Sequence, residues 1–282
     1  MTAPRLNRDP YTTLRPFRHG VRKEFLCLKA DSYIGESLKR YGEYSEGEVD
    51  VFRAFVREDD IVIDAGALFG VHTVPLAELC PRGMVLAFEP QRIPFQILCG
   101  NVQLNSMWNV DASRSSLGAQ DGTTCFADYS PYTDNPWGLA RANLNVTGYQ
   151  PVRRRTIDGL GLTRLDFVKI DVEGSEVDVL QGAAKSLEQL RPVVYVEFNE
   201  NRYDILRVLR RRGYDEIWRH LVPVAREPNF LGSPVDREGV QPRPSDMVLA
   251  VPEERIDALA PLIQSCSVSN LYPLRGTLPN AP

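Results

Sequence analysis

The chain has 282 residues, 43% hydrophobic and 25% charged, with a formal net charge of −4. This composition suits one folded domain carrying an N-terminal extension, and it gives no general drive toward nucleic acid or anionic membranes. Its five cysteines (Cys27, Cys80, Cys99, Cys125 and Cys266) are odd in number and form no C-x-x-C pair, which argues against a zinc site or a disulfide framework.

Residues 1–20, with Arg5, Arg8 and Arg15 among prolines, read as a loose polar arm without the apolar core of a signal peptide. No stretch approaches the roughly 20 apolar residues of a membrane span. A cytoplasmic protein is the expectation. Within residues 21–58, Val49, Phe52, Phe55 and Val56 recur at helical spacing and predict a helix lying across the mouth of a site.

From residue 60 strand and helix patterns alternate. Residues 61–64 are a strand, 70–80 a helix with Pro75 awkwardly placed, 84–89 a strand, 94–105 a helix and 109–113 a weaker strand. Residues 127–150 read as a long loop or a strand pair. Strand 165–171, helix 174–190, strand 193–198 and a basic helix over 202–212 follow. Residues 214–218 and 247–251 supply two last strands. Five prolines between them mark a lid or insertion at about 223–245. The chain after 268 reads as disordered. The organisation is then an extension (1–58), an α/β domain (59–252) with a largely parallel sheet and helices on both faces, and a tail (253–282).

The strand 61–64 runs into Asp64, Gly66, Ala67 and Gly70, a strand–turn–helix junction where open α/β sheets bind nucleotide-like cofactors. A carboxylate there opposes a pyrophosphate but suits an ammonium, which favours S-adenosylmethionine. Glu89 ends the next strand twenty-three positions after Gly66, where an acid accepts ribose hydroxyls. Ser116 and Leu117 fall near the adenine by position, and His72 in the helix's first turns is a wall residue.

Lys169, Asp171 and Glu173 form a second cluster at a strand end, and Glu197, Phe198 and Asn199 end the strand beside it. Asp171, Glu173, Glu197 and His220 are the candidates for removing a proton, with Glu173 expected to cap a helix start. Asp171, Glu173 and Glu197 are also the candidate ligands of a Mg²⁺ ion. The basic runs 153–155 and 210–212 read as solvated faces. A nicotinamide-dependent oxidoreductase is the alternative, although the chain lacks G-x-G-x-x-G; a non-catalytic cofactor-binding protein is another.

Together these motifs resemble the FkbM-family S-adenosylmethionine-dependent methyltransferases, over about residues 33–252. The resemblance rests on Tyr33-Ile34-Gly35, Tyr41-Gly42-Glu43-Tyr44 and Glu48; Asp64-Ala65-Gly66-Ala67 with Gly70; Ala87-Phe88-Glu89-Pro90; Asn101 and Asn105; Thr156-Ile157-Asp158; Lys169 to Gly174 with Glu176, Leu180 and Gly182; and Arg191-Pro192 before Glu197. Leu68 departs from it, since Asn usually follows the Gly-Ala pair. The resemblance implies a Rossmann-like seven-stranded class I methyltransferase sheet with an antiparallel last strand. It also implies O-methylation of a hydroxyl on a sugar, polyketide or other secondary metabolite. The partner is then a small-molecule or glycan acceptor, with homo-oligomerisation left open.

Overall fold

A computed structural model describes residues 9–14, 17–18, 21–132, 146–198, 202–235, 244–264 and 270–274. Trp137, Asn199, Cys266, the first eight residues and positions 236–243 of the expected lid lie outside the described residues.

The β-branched run of Ile61–Ala65 forms a strand buried on both faces, as expected of the centre of a parallel sheet. It pairs in parallel with Met84–Phe88 on one side and Phe167–Ile170 on the other. The full order is Leu271–Pro273, Glu216–Val222, Ser245–Val251, Val193–Glu197, Phe167–Ile170, Ile61–Ala65, Met84–Phe88 and Val110–Ser113. Ser245–Val251 runs antiparallel to both its neighbours. This is the expected seven-stranded sheet with one strand more. Leu271–Pro273 pairs antiparallel with Trp218–His220, so the expectation of disorder after 268 is corrected there.

Strand alternation sends Ile63, Ala65, Val168 and Ile170 into one core and Val62, Phe167, Val193 and Tyr195 into the other. The second core takes in Val49, Phe52, Phe55 and Val56, so the Glu46–Phe55 helix packs against the sheet. The Thr73–Leu79 and Arg92–Leu104 helices start where their prolines are harmless. Pro75 and Pro94 both fall in the first turn, where a backbone N–H has no intrahelical acceptor to lose.

The single helix expected over 174–190 is instead two, Glu176–Gln181 and Ala184–Gln189. At the break, a Cβ on Gly182 would overlap the carbonyl oxygen of Gly118. Gly118 follows a separate three-stranded sheet in which Val146–Arg155 pairs in parallel with Ser115–Leu117 and antiparallel with Gly122–Tyr129. The ambiguous 127–150 region is therefore a strand pair over its described residues.

The N-terminal segment is bolted down. Tyr11–Leu14, expected in a loose arm, is a strand paired with Phe25–Leu28. Buried Asn101 accepts from the Leu26 N–H (2.6 Å) and donates to the carbonyls of Leu26 (3.0 Å) and Phe69 (2.7 Å), tying that strand to the glycine loop. The described part of the expected lid is strapped too: Glu43 accepts from the N–H groups of Arg226 (2.6 Å) and Phe230 (3.2 Å), and the Ser45 N–H donates to Val224. Among the described residues, no helix is long and apolar enough to cross a membrane.

A cleft above the carboxyl ends of the strands

A cleft of about 420 Å³ opens over the carboxyl ends of the central strands, a volume in the range of small-molecule sites. Asp64, Gly66, Ala67, Leu68 and His72 line it from the first strand and its loop. Glu89 and Gln91 line it from the second; Lys169, Asp171 and Glu173 from the fourth; Glu197 and Met247 from the last pair. Ser116, Leu117, Thr124, Phe126 and Arg154 reach it from the small sheet, and Tyr33 and Tyr44 from the N-terminal segment.

The floor is charged and buried. Asp64 is fully buried; its Oδ2 accepts the Thr73 hydroxyl at 2.6 Å, while Oδ1 has no hydrogen-bond partner. Lys169 is its register partner on the neighbouring strand. The ammonium lies 4.0 Å from Asp64 Oδ1 and donates to Asp171 Oδ2 at 3.1 Å. Burial pushes the Asp64 carboxyl up, and Lys169 and the Thr73 hydroxyl pull it back. Burial alone would lower Lys169, but Asp171, Asp64 and Glu48 outweigh it and hold the ammonium above the ordinary lysine value. Glu48, buried behind this group and bonded to Ser245, is pushed up to about 7 by burial.

Gly66 has φ +83°, and a Cβ there would overlap the Asp171 carbonyl oxygen, so only glycine lets the two loops touch. Glu89 Oε2 accepts from the Leu68 N–H at 2.9 Å and Oε1 from the Gln91 N–H at 2.7 Å. The carboxyl thus closes the glycine loop, and burial pushes it up to about 7. Gln91 Oε1 and Ser116 Oγ, like Asp64 Oδ1, are buried without a hydrogen-bond partner. Such atoms cost free energy unless a ligand satisfies them. All three residues line the cleft.

Of the expected donor-binding residues, Asp64, Gly66, Ala67, His72, Glu89, Ser116 and Leu117 meet in this cleft. Gly70 instead packs its turn against Leu98. His72 packs between Tyr44, tilted at 40°, and Phe52, edge-on at 89°. Asp171, Glu173 and Glu197 also line the cleft. Glu173 is not a helix cap, however: it stands at φ 55° in a turn closed by Glu176, whose Oε1 accepts from the N–H groups of Val172 and Gly174. His220 does not line the cleft. It is buried on Glu216–Val222 with Nδ1 2.9 Å from the Tyr195 hydroxyl, and burial lowers it to about 4. Among the described residues no three His, Cys, Asp or Glu side chains gather as metal ligands. The expectation of Mg²⁺ on Asp171, Glu173 and Glu197 gains no support from this arrangement.

Sequence reading placed Lys169 in the second cluster and gave no site role to Tyr33 or Tyr44. The two tyrosine rings meet edge-on at 5.8 Å and their hydroxyls hydrogen-bond to each other. Burial pushes Tyr33 up to about 12, so the pair stays neutral. Their positions within the Tyr33–Glu48 block were the available signal.

A model of the methyltransferase FkbM domain matches residues 64–216, more than half of the chain. "Methyltransferase 1" of Beauveria bassiana is 28% identical over 197 residues, covering 61% of this chain and 79% of that protein. The hexuronic acid methyltransferase AglP of Haloferax volcanii is 28% identical over 152 residues, covering 52% of this chain and 61% of that protein. Among solved structures, a methyltransferase FkbM from Methylobacillus flagellatus KT aligns with TM-score 0.47 at 17% identity, over 69% of this chain and 44% of that one.

Proposed function

The chain belongs to the FkbM methyltransferase family, and within that family we propose that it is an S-adenosylmethionine-dependent O-methyltransferase acting on a hydroxyl of a small-molecule or glycan acceptor. The observation that carries this reading is the pair of buried carboxyls, Asp64 and Glu89, at the ends of adjacent strands, with Asp64 Oδ1 left without a partner. A zwitterionic nucleoside donor matches that donor and acceptor pattern. Asp64 Oδ1 would take its ammonium, Glu89 its ribose hydroxyls, and Ser116 its base. Their orphaned or buried polar atoms fit the group.

When bound, the donor supplies an electrophilic methyl on a sulfonium, and transfer to an aligned oxygen is an in-line displacement. The chain's part is to align the two reactants and to exclude water. Gly66 and the Asp171 backbone close the donor loop from below. The neutral Tyr33–Tyr44 pair and the Asp171 carboxylate stand on the acceptor side, where Asp171 can accept the proton that the hydroxyl gives up. A sugar-type acceptor is supported by the resemblance to the hexuronic acid methyltransferase and by the aromatic and carboxylate lining.

The test is calorimetry with S-adenosylhomocysteine and with NAD, followed by labelled-methyl transfer to a panel of sugars, polyketide alcohols and hydroxy acids. Tight S-adenosylhomocysteine binding and label in an alkali-stable ether are expected. Binding of NAD alone would overturn the reading.

A further inference from the structure

Among the described residues, five other than glycine have positive φ, and two of them, Leu68 and Glu173, line the cleft. Leu68 is turned by its bond to Glu89. Glu173, at φ 55°, is turned by Glu176. Glu176 is fully buried, and its Oε1 draws in the N–H groups of Val172 (3.2 Å) and Gly174 (2.8 Å), one on either side of Glu173. A glutamate in the left-handed region is disfavoured. This one caps no helix, since Ser175 holds the cap position of Glu176–Gln181. Backbone strain persists only where its surroundings enforce it, and it collects at ligand sites. Here a buried clamp enforces it, and the result is a second carboxyl on the cleft wall beside Asp171.

The two carboxyls act on one hydroxyl. Burial is the main cause that raises Tyr33, and the charges of Asp171, Glu48 and Glu173 add to it. Asp171 and Glu173 therefore stand on the Tyr33 side of the cleft, the side given above to the acceptor. Carboxylates only accept hydrogen bonds. With Asp171 taking the reacting hydroxyl, Glu173, two residues on, calls for a second donor close to the first on the same molecule. Adjacent ring hydroxyls of a sugar supply such a pair. We propose that Glu173 is an acceptor-binding residue that holds the hydroxyl next to the one methylated, so that the site selects acceptors carrying a vicinal diol, and that Glu176 is the residue that positions it. This rests on the methyl-transfer reading above and narrows its acceptor class.

The test is labelled-methyl transfer by the full chain from S-adenosylmethionine. The acceptors are methyl hexopyranosides and methyl hexuronosides, each beside the deoxy analogue that lacks a hydroxyl next to the methylated position. On the deoxy analogue the native protein is expected to lose about ten- to a hundredfold in kcat/KM, chiefly through KM, the value of one hydrogen bond to a charged group. Glu173→Gly takes the same φ without strain. It should treat the two acceptors alike while binding S-adenosylhomocysteine as the native protein does. Glu176→Gln keeps an oxygen for both N–H groups and should keep the preference, whereas Glu176→Ala should lose it. Loss of the preference in Glu176→Gln would remove Glu176 from its positioning role. A preference that survives in Glu173→Gly, or native protein that treats each pair alike, overturns the assignment of Glu173. So does native protein that binds S-adenosylhomocysteine yet methylates no vicinal diol. Native protein that binds no S-adenosylhomocysteine sinks the donor reading instead.

Discussion

The Leu68 N–H donates a 2.9 Å hydrogen bond to Oε2 of Glu89, and to make it Leu68 adopts φ 45°. A branched side chain in the left-handed region is costly, whereas asparagine tolerates it. The odd residue in the glycine motif is thus a residue under backbone strain. Leu68→Asn should keep the bond to Glu89 and stabilise the protein by about 1 kcal/mol, raising the melting temperature by roughly 2–4 °C. Differential scanning calorimetry checks this; a lower melting temperature would show that Leu68 packing outweighs the strain.

Glu89 makes the protein's stability depend on pH in a stated direction. Its folded value of about 7 lies above the ordinary 4.5 of a glutamate. The folded state therefore favours the protonated acid. The stabilisation is complete below pH 4.5 and is lost as pH rises through 7. Glu89→Gln mimics the neutral form, so its melting temperature relative to the native protein should climb between pH 4.5 and 7 in the absence of ligand. A flat difference across that window would count against this account. Gln also lacks the second acceptor oxygen, so one of the N–H groups of Leu68 and Gln91 loses its partner. Affinity for S-adenosylhomocysteine should fall about 5- to 150-fold at pH 8, because loss of one such bond costs about 1–3 kcal/mol.

Asn101 holds three backbone groups from two segments. Asn101→Leu removes all three hydrogen bonds, at a cost of about 3 kcal/mol or more. The expected outcome is a melting temperature lower by roughly 6 °C or more, with faster tryptic cleavage ahead of residue 30 than in the folded core. Uniform cleavage along the chain would mean that Asn101 does not pin the N-terminal strand specifically.

Gly182→Ala and Gly148→Ala form a matched pair. A Cβ at Gly182 would overlap the Gly118 carbonyl, whereas nothing lies within 4 Å of one at Gly148. The first should cost about 3 kcal/mol through overpacking and weaken binding of adenosine-bearing ligands, since Gly118 lines the cleft. The second should stay within about 0.5 kcal/mol of the native protein. Urea titrations of the two variants provide the comparison.

The central sheet was legible because buried parallel strands are written as short β-branched runs, as in Ile61–Ile63 and Val193–Val196. The acids at the strand ends were legible for a related reason: a carboxylate directly after such a run has few other uses. The small sheet was not legible. Cys125 and Tyr149 are exposed on its strands, and Pro151 lies inside one of them, a residue that argues against a strand in sequence reading. His220 looked like a candidate base because it follows an apolar run and precedes a proline-rich stretch. What removed it from the cleft was its direction, toward Tyr195, which sequence does not encode locally.

The strand Ser245–Val251 comes after Glu216–Val222 in the chain but lies inside it in the sheet, against Val193–Glu197. During synthesis the N-terminal segments therefore emerge with the Val193–Glu197 edge bare, one strand from the centre. Unpaired apolar edges of this kind are aggregation-prone and attract chaperones. Glu197 sits on that edge, so the cleft and the vulnerable intermediate share a border. Both are completed by one event, the insertion of Ser245–Val251, and a ribosome pausing before residue 245 would prolong the exposed state.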